Sequence, residues 1–433
     1  MANPRIHVVA ILALLAAALV PSPCCAAAQP SRGLCVRNGQ LLKDGRPFRA
    51  IGINVTDLAD DILDRGEAAT KSFAAIRYLG QKKVPFIRFW ASYFYNHSRY
   101  LKNPARYWHN MDLLVSACER AGLGIAPSLF WNDWALPAEL GEFRYAWADE
   151  DSKTRRYMRR YVHEFVSRYG KRKCVWLYEF SNENNLAWDL PNAMEFLPEG
   201  QKDARNFARS YIGTMGIRAF ARAVRRDDQL HPITSGTSVP RPSQYHLATE
   251  DPVSGKPWTQ DTPEQQYIAA TWGAPNPVDL LCVHYYPQYQ DYDGARVRGE
   301  LETYMSWAER MRKPLYVGEF AVYANPNQPL GEQRYKACAR DLFQAVYESN
   351  VPLAAWWAYA GNPIHFGPGA VNPNYGRYEY VLGLIREYND KIARDLARRG
   401  GRSAERRRAH LPFQRSSRDS PVDVWARVSG GIT

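Results

Sequence analysis

The sequence predicts an α/β chain closed into one eight-stranded parallel barrel, a (β/α)8 or TIM barrel, with an N-terminal β-hairpin and a disordered basic C-terminal tail. Three observations carry this. Eight short apolar or β-rich runs recur, at residues 48–55, 84–90, 123–130, 174–180, 232–236, 278–286, 314–320 and 352–359. Segments with helical spacing lie between them, at 68–81, 107–121, 154–169, 204–225, 297–311 and 332–349. The runs themselves are near-continuously apolar, as strands buried on both faces must be. The rival fold, an open doubly wound sheet, wants a glycine-rich phosphate turn after its first strand. That strand instead leads into Ile53-Asn54-Val55-Thr56-Asp57.

Taken in order, residues 1–28 read as a secretory signal peptide. Arg5 gives a positive start, 11–20 is an apolar run too short to span a bilayer, and Ala26-Ala27-Ala28 fits a small-residue cleavage site. A lipid anchor through Cys24 or Cys25 is disfavoured by Pro23 ahead of Cys24. Residues 34–47 carry Asn38-Gly39 and Asp44-Gly45, two turn pairs between short alternating segments, which predicts a hairpin ahead of the barrel and plugging its bottom. The barrel itself is expected over 34–398. Its least regular part is 239–272, rich in Pro, Thr and Gln, which reads as a long loop holding one short helix. A last helix over 378–398 closes the ring, and 399–433 is the basic tail.

Composition narrows the function classes. The net charge is +12, but Arg398 to Thr433 holds nine Arg against Glu405, Asp419 and Asp423, half of the total. With no nucleic-acid-reading motif, no nucleic-acid partner is expected, and the tail reads as solvated. No run after the leader is long and apolar enough for an integral membrane segment. Beyond the leader five scattered cysteines remain, Cys35, Cys118, Cys174, Cys282 and Cys338, with no C-x-x-C pair. An odd number leaves at least one free thiol, and the last four sit in apolar stretches as small hydrophobes. Nine His without His-x-His or H-E-x-x-H argue against a metal, the Ser-hydrolase Gly-x-Ser-x-Gly elbow is missing, and no cofactor is expected.

In such a barrel, chemistry sits at the carboxyl ends of the strands. Those ends read Arg88-Phe89-Trp90, Trp131-Asn132-Asp133-Trp134, Ser181-Asn182-Glu183-Asn184, His284-Tyr285-Tyr286, Gly318-Glu319-Phe320 and Trp356-Trp357-Ala358-Tyr359. Glu183 and Glu319 end the fourth and seventh strands and face each other across the mouth. Paired carboxylates suit glycoside hydrolysis, one protonating the leaving oxygen and one attacking the anomeric carbon. Glu319 follows an apolar strand, where its charge needs partners; Arg88 and Tyr286 are the candidates and make it the nucleophile. Glu183 is then the general acid/base, with His284 near it or near a sugar hydroxyl. Glu179, inside the strand, reads as the buried ion-pair partner of Arg88, in competition with Glu319. Trp131 and Trp134 suit sugar stacking, and Trp188 fits cleft and core equally.

These segments resemble glycoside hydrolase family 5, of the retaining (β/α)8 clan. Tyr178-Glu179-Phe180-Ser181-Asn182-Glu183 is similar to its strand-four motif, Gly318-Glu319-Phe320 to its nucleophile motif and His284-Tyr285-Tyr286-Pro287 to its strand-six motif. Arg88-Phe89-Trp90 and Trp356-Trp357-Ala358-Tyr359 resemble the β-mannanase branch. The resemblance implies acid/base Glu183, nucleophile Glu319, and Asn182 on the sugar 2-hydroxyl. It also puts Trp357 at the floor of the −1 subsite and Trp90 among the substrate-facing aromatics. Asn184 stands where proline is common and Ala358 where that branch often has Gln. The expected activity is a retaining endo-β-1,4-glycanase on β-mannan or β-glucan, exported and monomeric, with a polysaccharide or oligosaccharide substrate. An exo-acting β-glycosidase and a non-catalytic carbohydrate-binding barrel are the alternatives.

Overall fold

The computed structural model describes residues 33–55, 57–92, 97–250, 258–323, 331–359 and 379–409, without the side chains of Phe196 and 400–409. The expected signal peptide, 1–28, and the last part of the expected tail, 410–433, lie outside the described residues. Strands β1 (Leu34–Arg37), β2 (Gln40–Lys43) and β3 (Arg46–Pro47) form a small antiparallel sheet. Its turns place Asn38, Gly39, Asp44 and Gly45 at positive φ, the conformation such turn pairs favour. The barrel strands follow: β4 (Ala50–Val55), β5 (Phe86–Trp90), β6 (Gly124–Ser128), β7 (Tyr178–Glu179), β8 (Ile233–Thr234), β9 (Leu281–Tyr285), β10 (Leu315–Phe320) and β11 (Leu353–Tyr359). Each falls within one of the eight expected runs. All their pairings are parallel, in the order β8-β7-β6-β5-β4-β11-β10-β9, so the first and last barrel strands pair and the ring comes round.

Helices α1 (Asp57–Arg65), α2 (Thr70–Gln81), α3 (Ser98–Lys102), α4 (Pro104–Arg120), α5 (Ala135–Glu139) and α6 (Lys153–Tyr169) cover the first half. Then come α7 (Ser210–Asp227), α8 (Gln244–Thr249), α9 (Pro263–Gly273), α10 (Gly294–Met311), α11 (Glu332–Glu348) and α12 (Tyr380–Ala409). Two differences from expectation have local causes. The stretch 239–272 holds two helices, the second started by Pro263 at its first turn and a reciprocal Thr262–Gln265 capping box. Helix α12 continues past Arg398 to Ala409, across Gly400 and Gly401, which are poor helix formers, and into a run of Arg, Ala and Glu, which are good ones.

Alternation along the strands builds two cores. Ile87, Phe89, Val317 and Trp356 face the helices, whereas Phe86, Trp176, Tyr316 and Leu353 fill the barrel. Leu34 and Leu41 of the hairpin join that inner cluster, so the hairpin does plug the bottom. A large apolar side chain buried in this way contributes roughly 1.5–3 kcal/mol. The seam between β8 and β9 has no strand ladder. Asp279 bridges it instead: Ile233 N donates to its Oδ2 at 2.7 Å, while Ile233 O accepts from the amides of Asp279 and Leu280 at 3.0 and 3.2 Å. Of the five cysteines beyond the leader all are buried, and Cys118, Cys174, Cys282 and Cys338 are free. Among the described residues no helix is long and apolar enough to cross a membrane.

Candidate active site

Period-two alternation aims Arg88 of β5 into the barrel, where it is fully buried. A buried guanidinium must spend its donors on acceptors, and here it does. Nη1 donates to Glu319 Oε1 at 2.7 Å and to Asn54 Oδ1 at 2.9 Å, and Nη2 to Asn182 Oδ1 at 2.7 Å. Nε faces both oxygens of Glu179, at 2.9 and 3.0 Å. The competition anticipated between Glu179 and Glu319 is therefore settled by sharing. Asn54 steadies the assembly, its Nδ2 donating to the carbonyls of Gly318, Ala355 and Trp356 at 3.0–3.3 Å.

Glu319 is 3% exposed. Strict alternation would give it the same face as Val317, toward the helices. The β10 register shifts between Val317 and Glu319, and this irregularity re-aims the carboxylate into the barrel. Its other oxygen, Oε2, accepts a short hydrogen bond from the Tyr286 hydroxyl. Burial pushes the Glu319 carboxyl above its usual range and the nearby Glu183 adds to this, while His284, Arg88 and the Tyr286 hydroxyl offset it. Burial also holds the Tyr286 phenol far above its usual range, so it stays a donor.

Glu183 takes a left-handed backbone, φ 49° and ψ 25°, uncommon for a side-chain-bearing residue. Strand-end contacts hold it there: Glu183 N donates to Gly236 O at 2.8 Å and Asn182 N to Trp131 O at 2.8 Å. Its side chain is 27% exposed, the more open of the two glutamates. Burial raises its carboxyl too; the Arg88 charge and the Ser238 hydroxyl only partly offset this. His284 sits between them, Nδ1 3.0 Å from Glu183 Oε1 and 3.5 Å from Glu319 Oε2. Burial pushes the imidazole down to about 4, so near neutral pH it is uncharged. The single proton is assigned to Nδ1, which faces the carboxylates. One ligand-capable atom each from Glu183, His284 and Glu319 lie within 4.8 Å of one another.

Arg88, Asn182, Glu183, His284, Tyr286 and Glu319 thus converge as the sequence predicted. The aromatics divide. Trp357 is partly exposed and near-parallel to Trp131, with centroids 6.5 Å apart and planes 23° apart. Trp134 is partly exposed where α5 begins. Trp131 is buried, with the Arg88 guanidinium over its face 4.8 Å from the ring centre. Trp90 is buried edge-on to Trp131, its indole N–H donated to Asp60 Oδ2 at 2.7 Å. These two are the sequence's further candidates for facing substrate; the structure packs Trp131 against the Arg88 guanidinium and ties the Trp90 indole to Asp60, leaving each as buried as Glu319. Trp188 is core, filling the space beside Gly213. Asn184 is buried with neither amide atom paired. Sequence reading had not singled out Asn54 or Ser238 as site residues; a lone amide closing an apolar strand was the available signal for Asn54, and Ser238 gave none.

No family model matches this sequence, and no curated protein does. Solved structures share its fold. A glycoside hydrolase family 5 mannosidase from Rhizomucor miehei superposes with a TM-score of 0.61 at 12% identity, over 86% of this chain and 100% of that one. The endo-1,4-β-mannanase from the same organism gives 0.56 at 14% identity, over 84% and 99%. An endo-β-1,4-mannanase from Thermotoga petrophila gives 0.52 at 15% identity, over 80% and 77%. At these identities the likeness is one of fold: the chain has the eight-stranded barrel on which those glycoside hydrolases are built.

Proposed function

We propose that this chain is a retaining glycoside hydrolase of the family 5 type, with Glu319 as nucleophile and Glu183 as general acid/base. The observation that carries the reading is the spacing of the two carboxylates, an oxygen of each within 4.8 Å. Retaining glycosidases need carboxyl groups about 5–5.5 Å apart, whereas inverting ones leave roughly 6.5–9.5 Å for a water. The partners divide the labour. Arg88 and Tyr286 bond to Glu319 and favour its ionised form, as a nucleophile requires. Glu183 lacks such a cation bond and is the more exposed, which suits a group that first protonates the glycosidic oxygen and then deprotonates water. Neutral His284 donates one hydrogen bond to whichever carboxylate is charged, following the negative charge through the two steps.

The substrate we propose is a β-1,4-linked polysaccharide, β-mannan ahead of β-glucan, cut internally. Fold neighbours named as mannosidase and mannanases and the partly exposed Trp357 support it. Export through residues 1–28 belongs to the same reading. The decisive experiment uses Glu319→Ala. Turnover on the substrate is expected to vanish, and azide is expected to restore cleavage with an inverted glycosyl azide as product. Near-wild-type activity in that variant would refute the assignment. Product lengths from mannan, glucomannan, cellulose and β-1,3-glucan then identify the sugar and separate internal from terminal cutting.

A further inference from the structure

We propose that Glu183, His284 and Glu319 also form a chelating site for one zinc-class transition-metal cation, whose binding excludes hydrolysis. The ligand set is mixed and convergent. His284 Nδ1 lies 3.0 Å from Glu183 Oε1 and 3.5 Å from Glu319 Oε2, with one oxygen of each glutamate within 4.8 Å of the other. Zinc bonds of about 2.0–2.2 Å in a tetrahedron hold ligand atoms roughly 3.3–3.6 Å apart. Two of the three edges are near that length already. The third closes by a swing of Glu183, whose side chain is 27% exposed and free of a cation bond. A fourth position is left for water.

Charge favours the same occupant. Arg88 is shared between Glu179 and Glu319. With all three glutamates ionised and His284 neutral, the cluster carries two negative charges without a counter-ion, which a dication cancels. During hydrolysis a proton on Glu183 covers part of that excess, so metal and proton compete for the same oxygens. The imidazole adapts without losing a bond elsewhere: Nε2 has no hydrogen-bond partner, so moving the ring proton there breaks nothing. An imidazole with two carboxylates suits zinc, copper or nickel, and not magnesium or calcium, which want more oxygen ligands. A bound cation occupies the acid and the nucleophile together, leaving neither for the sugar. This last step rests on the proposed glycosidase activity; the binding does not.

Calorimetric titration of the full chain with zinc chloride, in a non-chelating buffer, tests the site. One zinc per chain is expected, with no saturable uptake of magnesium or calcium. Binding is expected to be lost in Glu183→Gln and in His284→Phe, each first shown folded by circular dichroism. Absence of saturable binding to the wild type, or binding unchanged in Glu183→Gln, overturns the proposal. Hydrolysis is expected to be lost with zinc and regained with EDTA, and hydrolysis unaffected at saturating zinc also overturns it. A chain that binds one zinc in this way but cleaves no glycan upholds the site and sinks the glycosidase reading. A chain that cleaves glycan and takes up no zinc does the reverse.

Discussion

Removing the Arg88 guanidinium leaves Glu179 and Glu319 buried without their shared cation. Breaking a buried pair by deleting one partner costs about 3–5 kcal/mol, because a charge stays behind unpaired. Arg88→Met is therefore expected to lower the urea unfolding free energy by about that amount. A loss under ~1 kcal/mol, the scale of an exposed pair, would contradict the shared-cation picture. The glutamates themselves shape the pH profile. In the proposed roles, activity needs Glu319 ionised and Glu183 protonated, so the acid limb follows Glu319 and the alkaline limb follows Glu183. Burial raises both from the usual 4.5, so both limbs should lie above where an exposed carboxyl titrates. The Tyr286 hydrogen bond favours the charged form of Glu319 and lowers its pKa; Tyr286→Phe removes it, and the acid limb of kcat/KM should move to higher pH. An unmoved or lowered acid limb would exclude that role. Glu183 and Glu319 were legible in the sequence because carboxylates at the ends of apolar strands have few structural uses. Burial of an aromatic was not legible: Trp90 ends β5 and Trp357 lies two residues short of the end of β11, and only the packing around them separates the buried ring from the partly exposed one.

At the scale of the element, the position of Glu183 depends on a glycine in the neighbouring strand end. Gly236 has φ 74°, and a Cβ there would lie 1.8 Å from Ser181 O and 2.8 Å from Glu179 Cδ. Its carbonyl accepts the Glu183 amide at 2.8 Å. Gly236→Ala must push the 181–183 segment away, and a 1 Å misplacement of a catalytic group can cost about 100-fold in rate. The expected result is a kcat loss of about that order in protein that still unfolds cooperatively. A variant with full kcat would show that Glu183 is positioned some other way. The strands were readable because an apolar run bounded by turn signals marks a buried strand wherever it occurs. Helix α1 was not, since four Asp in nine residues hide the buried set Leu58, Ala59, Ile62 and Leu63. The β10 irregularity had one signal, Gly318 inside an apolar strand, which marks a bulge or a close approach without saying which; the slip is what delivers the nucleophile candidate to the mouth.

For the whole molecule, the barrel is a ring with unequal joints. Five residue pairs register β4 with β11, and five more β5 with β6. Between β8 and β9 closure falls to the Asp279 bridge at the bottom, with Thr237 Oγ1 donating to Cys282 O at 3.3 Å and Ser238 Oγ to His284 O at 3.4 Å above it. Local opening follows the weakest set of backbone hydrogen bonds. Native-state hydrogen exchange should therefore show the Ile233 amide, whose acceptor is a side chain, exchanging through a lower-energy opening than the amides of β4 and β5. The Asp279 carboxylate also accepts from Arg225, so one change removes the side-chain half of the lower closure and its anchor together, leaving the two backbone bonds to Ile233 O. Asp279→Ala is expected to speed exchange at Ile233 and at the start of β9 and to lower the melting temperature, while β4 and β5 still exchange only by global unfolding. Because Ser238 contacts both Glu183 and the His284 strand end, the same opening reaches the site from below. Equal protection across all eight strands, or an Asp279→Ala variant with wild-type exchange at Ile233, would mean the ring is closed there by contacts other than these.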